Sequence, residues 1–366
     1  MSGGKDAPSQ DSYALVAGNL AEIAAPELPY RPPMPRDRSV PIGLIGAGGI
    51  SAAHLDAYRA SGFNVVAICD RSLSRAEKRR DEFYPGARIT DEPGELIEDP
   101  AIPVLDLALH PAARTPLIRQ SLEAGKHVLS QKPFVMDLAV GAELVRLAAN
   151  KDVFLAVNQN GRWAPYMSYM REAVRAGLIG EVIGVHAQLQ WDHSWIGGTP
   201  FEDIDQIILE DFAIHWFDFV ASVIGDTASS VYATGTRAHG QSVRSKLLAQ
   251  AMIGFPGGQA SLVFDGAAAH GPHNLTTIAG TKGTLRSIGP DLGVQSVRLY
   301  LAEGVAVPRL EGQWFNDGFA GAMGALLVAI ETGAAPINDA AANLNSLKLV
   351  KAALESAEHG RVVIPG

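Results

Sequence analysis

The stretch Val40-Pro41-Ile42-Gly43-Leu44-Ile45-Gly46-Ala47-Gly48-Gly49-Ile50-Ser51 joins an apolar run typical of a strand to a cluster of glycines. A helical pattern follows immediately, so the stretch predicts a strand–turn–helix unit. Gly46 allows a sharp turn, and Gly48 lacks the Cβ that would keep a pyrophosphate away from the main chain. The free N–H groups at the start of the helix, near Gly49 and Ile50, would face that pyrophosphate. The stretch therefore predicts a dinucleotide-binding turn.

A second apolar strand, Asn64-Val65-Val66-Ala67-Ile68-Cys69, ends at Asp70. This carboxylate follows the glycines at about the spacing, roughly 20 residues, that is typical of the acid binding the adenosine ribose hydroxyls. The alternative is that Asp70 only caps the helix beginning near Ser72. A carboxylate here repels a 2′-phosphate, whereas the adjacent Arg71 is able to hold one. We therefore expect NAD as the cofactor, with NADP less favoured.

The composition narrows the class of protein. The 366-residue chain is long enough for two domains with a substantial core. Its formal net charge of −9 argues against nucleic acid or an anionic membrane as the main partner. No apolar run reaches the length of a membrane span, and the N-terminus lacks the pattern of a secretory signal. The single cysteine, Cys69, excludes an intramolecular disulfide, so we expect a reducing, cytoplasmic setting.

The chain divides into three regions by pattern. Residues 1–39 contain a short predicted helix, 13–25, and then a proline-rich segment that is either a loose tail or an arm on a neighbouring surface. Tyr30 and Met34 offer apolar surface to bury and favour an arm, for example across a partner subunit.

The two remaining regions predict two domains. Residues 40–158 alternate strands and helices, which predicts an α/β Rossmann domain with a parallel sheet. Residues 159–366 combine helices with strands separated by turn signals, which predicts an α+β domain with an open, mainly antiparallel sheet. The uncovered face of such a sheet often becomes a subunit interface, so we expect a homo-oligomer, a dimer or a tetramer.

Lys132 is the first candidate for chemistry. It lies in Ser130-Gln131-Lys132-Pro133, directly after a predicted parallel strand. The carboxyl ends of such strands form the edge where open α/β sheets bind ligands. Taken alone, a lysine at this position is more typical of a solvated surface residue.

The second candidate is an acid–histidine pair within the predicted helix 209–224. Asp211 and His215 are four positions apart and therefore share a helix face, and Asp218 follows. One alternative is a structural network in which an aspartate holds the histidine. Another is a metal site, but no third spaced ligand is evident beyond Asp192-His193, so we expect no metal.

These motifs together resemble the glucose–fructose oxidoreductase / inositol dehydrogenase / rhizopine-catabolism family over roughly residues 40–360. The marks are the glycine turn, Ala-Gly-Lys-His-Val followed by Lys132-Pro133, and Asp211-x-x-x-His215-x-x-Asp218. The resemblance implies a nicotinamide-dependent oxidoreductase that acts on a secondary hydroxyl of a sugar, a sugar derivative or a cyclic polyol. It implies that Lys132 lies between nicotinamide and substrate, that His215 is the general base, and that Asp211 binds a substrate hydroxyl and orients the site.

The chain departs from the family pattern beside the lysine and after the fourth strand of the first domain. Gln131 replaces the glutamate of the Glu-Lys-Pro motif, Leu109-His110 stands in place of Thr-Pro, and Arg114 stands where a histidine often follows. We expect His110 to line the nicotinamide pocket. The predicted cofactor-binding residues are Gly46, Gly48, Gly49, Ile50, Asp70, Arg71, Leu109, His110, Gln131 and Lys132. The further candidates for binding substrate hydroxyls or stacking on a sugar are Asn158, Arg162, Trp163, Trp191, Asp192 and His193.

The chemistry agrees with these assignments. Oxidation of a secondary alcohol removes a hydride from carbon and a proton from oxygen, and a histidine accepts such a proton near neutral pH. A lysine ammonium stabilises developing alkoxide charge. Two alternatives remain. One is an enzyme that keeps NAD bound and returns the hydride, as a sugar–sugar oxidoreductase, isomerase or NAD-dependent glycosidase. The other is a non-catalytic, nicotinamide-binding regulatory protein, which the presence of Lys132, Asp211 and His215 disfavours.

Overall fold

The computed structural model describes residues 20–366, and its first segment is an extended arm. Strand β1 (Glu22–Ile23) pairs in parallel with residues 305–306 of the same chain. The predicted helix 13–25 is therefore wrong over residues 20–25, because this segment satisfies its main-chain groups on the edge of a sheet. The rest of that predicted helix lies outside the described residues.

The proline-rich part of the arm continues along its own chain. The Tyr169 hydroxyl donates to the Pro26 carbonyl at 3.0 Å, and the Glu311 N–H donates to the Tyr30 hydroxyl at 3.0 Å. The rings of Tyr30 and Tyr169 also meet edge to face, with centroids 6.1 Å apart. These contacts place an arm along its own chain; the expected contact with a partner subunit stays a prediction.

The first domain is built on a parallel sheet. Its elements in chain order are β2 (Pro41–Ile45), α1 (Ser51–Ser61), β3 (Asn64–Cys69), α2 (Leu73–Phe83), β4 (Arg88–Thr90), α3 (Pro93–Ile97), β5 (Val104–Leu107), α4 (Pro111–Glu123), β6 (His127–Gln131), α5 (Leu138–Asn150) and β7 (Leu155–Asn158). The strand order is β4-β3-β2-β5-β6-β7, with every pairing parallel. This confirms the Rossmann-type sheet, whose reversal of strand order between β2 and β5 creates the crevice where such sheets bind ligands.

The second domain carries a larger sheet. Its elements are α6 (Pro165–Arg175), β8 (Val182–Gln190), α7 (Ile214–Ile224), β9 (Ser230–Thr236), β10 (Leu248–Phe255), β11 (Gly258–Asp265), β12 (His273–Gly280), β13 (Gly283–Gly289), β14 (Ser296–Leu301), β15 (Gly304–Ala306), α8 (Trp314–Thr332) and α9 (Ala340–His359). The strand order is β1-β15-β14-β13-β12-β8-β11-β10-β9. Only the β1–β15 and β8–β11 pairings are parallel among the described residues, so the predicted mainly antiparallel sheet is confirmed.

One face of this sheet is buried and the other is open. In β10, Ala251 and Ile253 are 1% exposed, whereas the intervening Met252 is 57% exposed. Ile288 of β13, in the same sheet, is also exposed. This alternation is the pattern of an antiparallel sheet covered by helices on one side, here including α7 and α9.

Helix α8 joins the two domains, although it follows the second sheet in the chain. Phe319 and Met323 are fully buried against Leu55 and Tyr58 of α1, in a single apolar cluster. The first sheet therefore obtains part of its cover from residues far beyond the predicted domain boundary at 158. Although α8 has 19 residues, no helix within residues 20–366 is long and apolar enough to cross a membrane.

Candidate functional site

The glycine loop between β2 and α1 leaves space for a ligand at the helix N-terminus. Gly46 has a φ of 104°, and a Cβ there would lie 2.9 Å from the Ala108 carbonyl oxygen. A Cβ on Gly48 or Gly49 would meet nothing within 4 Å. The Ala52 and Ala53 N–H groups donate to the Gly49 and Ile50 carbonyls, whereas the Gly48 and Gly49 N–H groups have no partner among the described residues and are available to an anion. The loop thus has the open, donor-rich shape that a pyrophosphate requires.

Asp70 lies beside this loop, at the end of β3. Its Oδ2 accepts from the Ala47 N–H at 2.9 Å, and its Oδ1 accepts from the Ser72 N–H at 2.9 Å. Arg75 forms an ion pair with it at 2.9 Å, while Arg71 is exposed. Arg75 also donates to Oδ1 through Nε at 3.1 Å, so this oxygen is fully occupied. Oδ2 accepts only from Ala47 among the described residues and keeps a lone pair for a ribose hydroxyl. Asp70 therefore both supports the start of α2 and remains a candidate for the ribose.

The loops after β5 and β6 are held together by Arg114, a residue to which the sequence assigned no role. Its guanidinium is fully buried and donates to the carbonyls of Leu109, Pro133 and Phe134. Burial lowers the pKa of Arg114 to about 9. His110 is exposed at the start of α4, with its ring 6.3 Å from that of Phe201 in the second domain. Arg114 thus supports the main chain on which Leu109, His110 and Lys132 stand.

Lys132 and Asp211, 79 positions apart in the chain, form an ion pair at the domain junction. Lys132 Nζ donates to Asp211 Oδ1 at 2.9 Å and to the Asp211 carbonyl at 3.1 Å. Burial acts to raise the pKa of Asp211, but the Lys132 ammonium outweighs burial and the pKa is lowered. Both side chains are partly exposed, at 19% and 26%, so the pair is accessible to a small molecule.

The helix predicted at 209–224 is irregular where it carries Asp211. Residues Ile208–Phe212 form a π-turn, in which the Ala213 N–H donates to the Ile208 carbonyl at 2.7 Å, and α7 begins only at Ile214. Such turns are frequent at functional sites because they change the direction of a side chain. Here the π-turn presents both the carboxylate and the carbonyl of Asp211 to Lys132.

His215 lies next to this ion pair and is neutral. Burial and then the Lys132 ammonium lower the pKa of His215 to about 3, against the opposing charges of Asp211 and Asp218. Its Nδ1 is buried without a hydrogen-bond partner among the described residues, which leaves Nε2 as the nitrogen available to a substrate. A Cβ at Gly161 would lie only 3.2 Å from Nδ1, so the glycine allows the main chain to pack against the ring.

His193 and Trp191 form a second polar edge near the ion pair. Trp191 Nε1 donates to His193 Nδ1 at 2.9 Å, so the neutral His193 ring carries its proton on Nε2. Burial lowers the pKa of His193 to about 4, although Asp211 opposes the shift. Trp191 is also stacked on Phe212, with ring centroids 4.2 Å apart. Asp192 instead is exposed and accepts from the Ser194 N–H, so it supports the turn.

Three of the predicted substrate-binding residues are buried in contacts of their own. Arg162 is paired with Asp218 through two hydrogen bonds, at 2.8 and 2.7 Å. Trp163 is 1% exposed and covers Gly321 of α8. Asn158 is fully buried and faces His54 at 3.1 Å. These three side chains contact other parts of the fold, and their assignment to the substrate stays a prediction.

Gln131 belongs to the same buried layer as Asn158. It is 7% exposed, and its Oε1 accepts from the Lys132 N–H at 2.7 Å. Its amide nitrogen lies 3.0 Å from His54 Nε2, and His54 in turn contacts Asp106. The sequence interpretation missed His54. The available signal was a polar residue one turn after the glycine loop, on the face of α1 that packs on the sheet. Among residues 20–366, no cluster of three His, Cys, Asp or Glu side chains is arranged to hold a metal.

Comparison with known proteins agrees with this geometry. The sequence model of the oxidoreductase family with an NAD-binding Rossmann fold matches residues 40–159, and that of the GFO/IDH/MocA C-terminal domain matches residues 167–286. D-apiose dehydrogenase of Rhizobium rhizogenes is 26% identical over 87% of this chain and 96% of its own length. Inositol 2-dehydrogenase of Corynebacterium glutamicum is 26% identical over 53% of this chain and 57% of its own.

A solved structure shows the same fold over nearly the whole chain. An oxidoreductase from Agrobacterium radiobacter, crystallised with NAD+, L-tartaric acid and magnesium, superposes with a TM-score of 0.80 at 23% identity, and it covers 90% of this chain and 99% of its own. The chain thus belongs to the Gfo/Idh/MocA family of NAD-binding oxidoreductases.

Proposed function

We propose that this protein is an NAD-dependent dehydrogenase that oxidises a secondary hydroxyl of a sugar, a sugar derivative or a cyclic polyol. The observation that carries the proposal is the partly exposed Lys132–Asp211 ion pair beside a neutral histidine, His215, at the carboxyl ends of the parallel strands. The sugar and polyol dehydrogenases among the relatives support the same substrate class. His193 and Trp191 are the proposed further contacts for substrate hydroxyls and for the apolar face of a ring.

His215 is the proposed general base. A secondary alcohol is a weak acid, but it becomes strongly acidic as hydride leaves its carbon, because the product is then a protonated carbonyl. A neutral imidazole with a low pKa is therefore sufficient to take the proton as the reaction proceeds. The proton is received on Nε2, which requires that the resting ring carries its own proton on the buried Nδ1.

Lys132 and Asp211 are proposed to bind and orient the reacting hydroxyl. The Lys132 ammonium donates a hydrogen bond to the substrate oxygen and stabilises the electron density that this oxygen gains as the proton passes to His215. Asp211 holds that ammonium at 2.9 Å and accepts a hydrogen bond from a neighbouring substrate hydroxyl. Because the ion pair exists before a substrate arrives, little reorganisation is needed at the moment of reaction.

The glycine loop and Asp70 fit NAD. The open space above Gly48 and Gly49 accommodates a pyrophosphate, and Asp70 is placed at the loop to accept from the ribose hydroxyls. When bound, NAD supplies the hydride acceptor. We propose NAD over NADP because the Asp70 carboxylate repels a 2′-phosphate, although the exposed Arg71 stands next to it.

An absorbance assay at the nicotinamide band tests the proposal. Purified protein is mixed with NAD, and separately with NADP, against a panel of sugars, inositols and sugar acids. Reduced cofactor is expected with at least one substrate class. If no reduced cofactor forms but NAD is released when the protein is denatured, the result would instead indicate internal hydride recycling. If no reduced cofactor forms and no cofactor is bound, the result would favour a regulatory protein.

Two variants test the role of the base. His215→Ala is expected to lower kcat by about two to four orders of magnitude if His215 is the general base. His359→Ala, at the exposed end of α9, is the matched control and should keep wild-type turnover. Unchanged turnover in His215→Ala would reject this assignment.

We also propose that the open face of the larger sheet, marked by the exposed Met252, forms a subunit interface in a dimer or tetramer. Light scattering on the purified protein gives the molar mass directly. A mass equal to one 38.7 kDa chain would exclude the oligomer. The expected cytoplasmic setting stays a prediction.

A further inference from the structure

A buried polar cluster lies beneath the proposed site and takes no part in the chemistry described above. His54 of α1 and Asp106 of β5 are both fully buried, and His54 Nδ1 lies 2.7 Å from Asp106 Oδ2. The Tyr58 hydroxyl donates to the same oxygen at 2.8 Å. Buried polar groups at this depth are costly unless they are paired, so the cluster calls for a reason beyond packing.

The hydrogen bonds of Gln131 determine the protonation of His54. The Lys132 main-chain N–H can only donate, so the Gln131 atom that faces it at 2.7 Å must be the amide oxygen. The other end of the amide, which faces His54 Nε2 at 3.0 Å, is then the NH₂ group and can only donate. His54 Nε2 must therefore be an unprotonated acceptor. The ring carries its proton on Nδ1 and donates it to Asp106.

Asn158 agrees with this assignment from a third strand. Its amide nitrogen lies 3.1 Å from the same His54 Nε2. A carbonyl oxygen at that position would face the histidine lone pair, so the NH₂ group is the only favourable orientation. The amide NH₂ groups of Gln131 on β6 and Asn158 on β7 thus both donate to His54 Nε2, while Asp106 accepts from Nδ1 on the opposite side of the ring.

We infer that His54 is a positioning residue for Lys132: fixed by Asp106 as the Nδ1–H tautomer, it orients Gln131, which anchors the Lys132 main chain. This inference rests on the proposed function, because the position of the Lys132 main chain matters for turnover only if the Lys132 side chain takes part in the reaction. The route runs from Asp106 to His54, from His54 Nε2 to the Gln131 amide, and from Gln131 Oε1 to the Lys132 N–H. A displacement of that main chain would move the ammonium relative to Asp211 and the substrate oxygen.

The hydrogen bonds from Asp106 through His54 to Lys132 also explain why position 131 is occupied by glutamine. A glutamate would also accept from the Lys132 N–H, but its second oxygen would face the His54 lone pair. That arrangement is favourable only if an additional proton lies between the two side chains, on His54 Nε2 or on the glutamate. The side chains that surround His54 are Asp106, Tyr58, Gln131, Asn158 and the Phe319 ring at 4.6 Å. Arg114 acts on His54 indirectly, because its charge interacts with that of Asp106.

The first test is spectroscopic and needs no activity. The full chain is labelled with ¹⁵N in its histidines, and the His54 ring signals are identified by their loss in His54→Gln. At neutral pH the wild type is expected to show a protonated Nδ1 and an unprotonated Nε2. Gln131→Glu is expected to shift the Nε2 signal, because an acidic proton then lies between the two side chains. A wild-type Nε2–H tautomer or imidazolium, or an Nε2 signal that does not change in Gln131→Glu, would overturn the inference.

The second test is kinetic and uses a pair of variants of similar size. His54→Leu removes the acceptor for Gln131, whereas His54→Gln supplies an amide oxygen that can accept in its place. With the substrate found by the panel, kcat is expected to fall about tenfold in His54→Leu and to return to within about threefold of wild type in His54→Gln. Equal kcat values in the two variants would contradict a positioning role.

A control separates positioning from loss of packing. Tyr58→Phe removes a hydrogen bond to the same Asp106 oxygen but does not touch Gln131, so its kcat should stay within about twofold of wild type. If His54→Leu does not fold, the ring spectra of wild type and Gln131→Glu still decide the question. If the wild type has no dehydrogenase activity, the proposed function fails while the spectra continue to test the His54 tautomer.

Discussion

Replacing Arg162 by methionine is expected to destabilise the protein strongly while leaving its substrate affinity unchanged. The sequence assigned Arg162 to the substrate, but the structure buries it to 7% exposure against Asp218, which is 1% exposed. Arg162 donates to both Asp218 oxygens and to the Ile337 carbonyl. Methionine replaces most of the volume of the side chain but none of its charge or donors.

The magnitude follows from what remains around Asp218. After the substitution, the Ser346 hydroxyl at 2.7 Å is the side-chain donor left to this carboxylate among the described residues. An uncompensated buried charge costs about 3–5 kcal/mol, so the free energy of unfolding should fall by that amount. The double variant Arg162→Met/Asp218→Asn removes the charge and keeps an oxygen for Ser346. The free energy of unfolding of this double variant should fall by less, about 1–3 kcal/mol, because the polar groups left without partners are neutral.

Urea unfolding followed by tryptophan fluorescence compares wild type, both single variants and the double variant. Arg361→Met is the control, because Arg361 pairs with Glu355 and both side chains are exposed, at 66% and 40%. Its stability should change by no more than about 0.5 kcal/mol. The KM for the sugar, measured on folded Arg162→Met protein, should equal the wild-type value. Wild-type stability combined with a raised KM would refute the burial argument and return Arg162 to the substrate site.

Three further predictions concern the site and the cofactor. Gly161→Ala places a Cβ 3.2 Å from His215 Nδ1, so kcat should fall about tenfold with little change in the KM for NAD, which initial-rate kinetics will show. The pKa of His193 is lowered from 6.5 to about 4 in the folded state, so the unfolded chain binds more protons between these values and stability falls as the pH drops through this window. At pH 5 His193 alone contributes a loss of about 2 kcal/mol relative to pH 8, so the pH-dependent loss in urea titrations should be smaller by that amount in His193→Gln. Asp70→Asn should raise the KM for NAD more than that for NADP, and equal changes for the two cofactors would show that Asp70 does not discriminate between them.

Local features of the chain predicted the first domain well. The turn at Gly46 has the positive φ that only glycine adopts without strain, and Asp137 caps α5 through the Ala139 N–H at 2.7 Å, as a capping aspartate should. Strand β1 was missed, because it pairs in parallel with β15, a strand far from it in the chain. A strand of two residues has no periodicity of its own, so only its partner defines it.

At the candidate site too, the local sequence predicted some features, and others depend on partners that are distant in the chain. Spacing alone placed Asp211 and His215 near each other, and resemblance to a family associated both with Lys132. What the spacing did not contain was the π-turn that directs Asp211 to Lys132, or the pairing of Arg162 with Asp218. A buried arginine and an exposed one are indistinguishable in a sequence, because the partner that neutralises the charge lies 56 positions away.

The sequence by itself determined the order of strands and helices, the glycine loop with its acid, and the residue types able to carry proton and hydride chemistry. These depend on φ preferences, side-chain periodicity and capping, which act over a few residues. Only the tertiary structure decided which polar side chains face the cleft and which serve the fold. His193 is also buried, at 4% exposure, but the charges of Lys132 and Asp211 act on it, whereas Arg162 is paired with Asp218 and Trp163 covers Gly321. That outcome depends on packing between distant elements, since burial and hydrogen-bond pairing are settled jointly by all the groups that meet there.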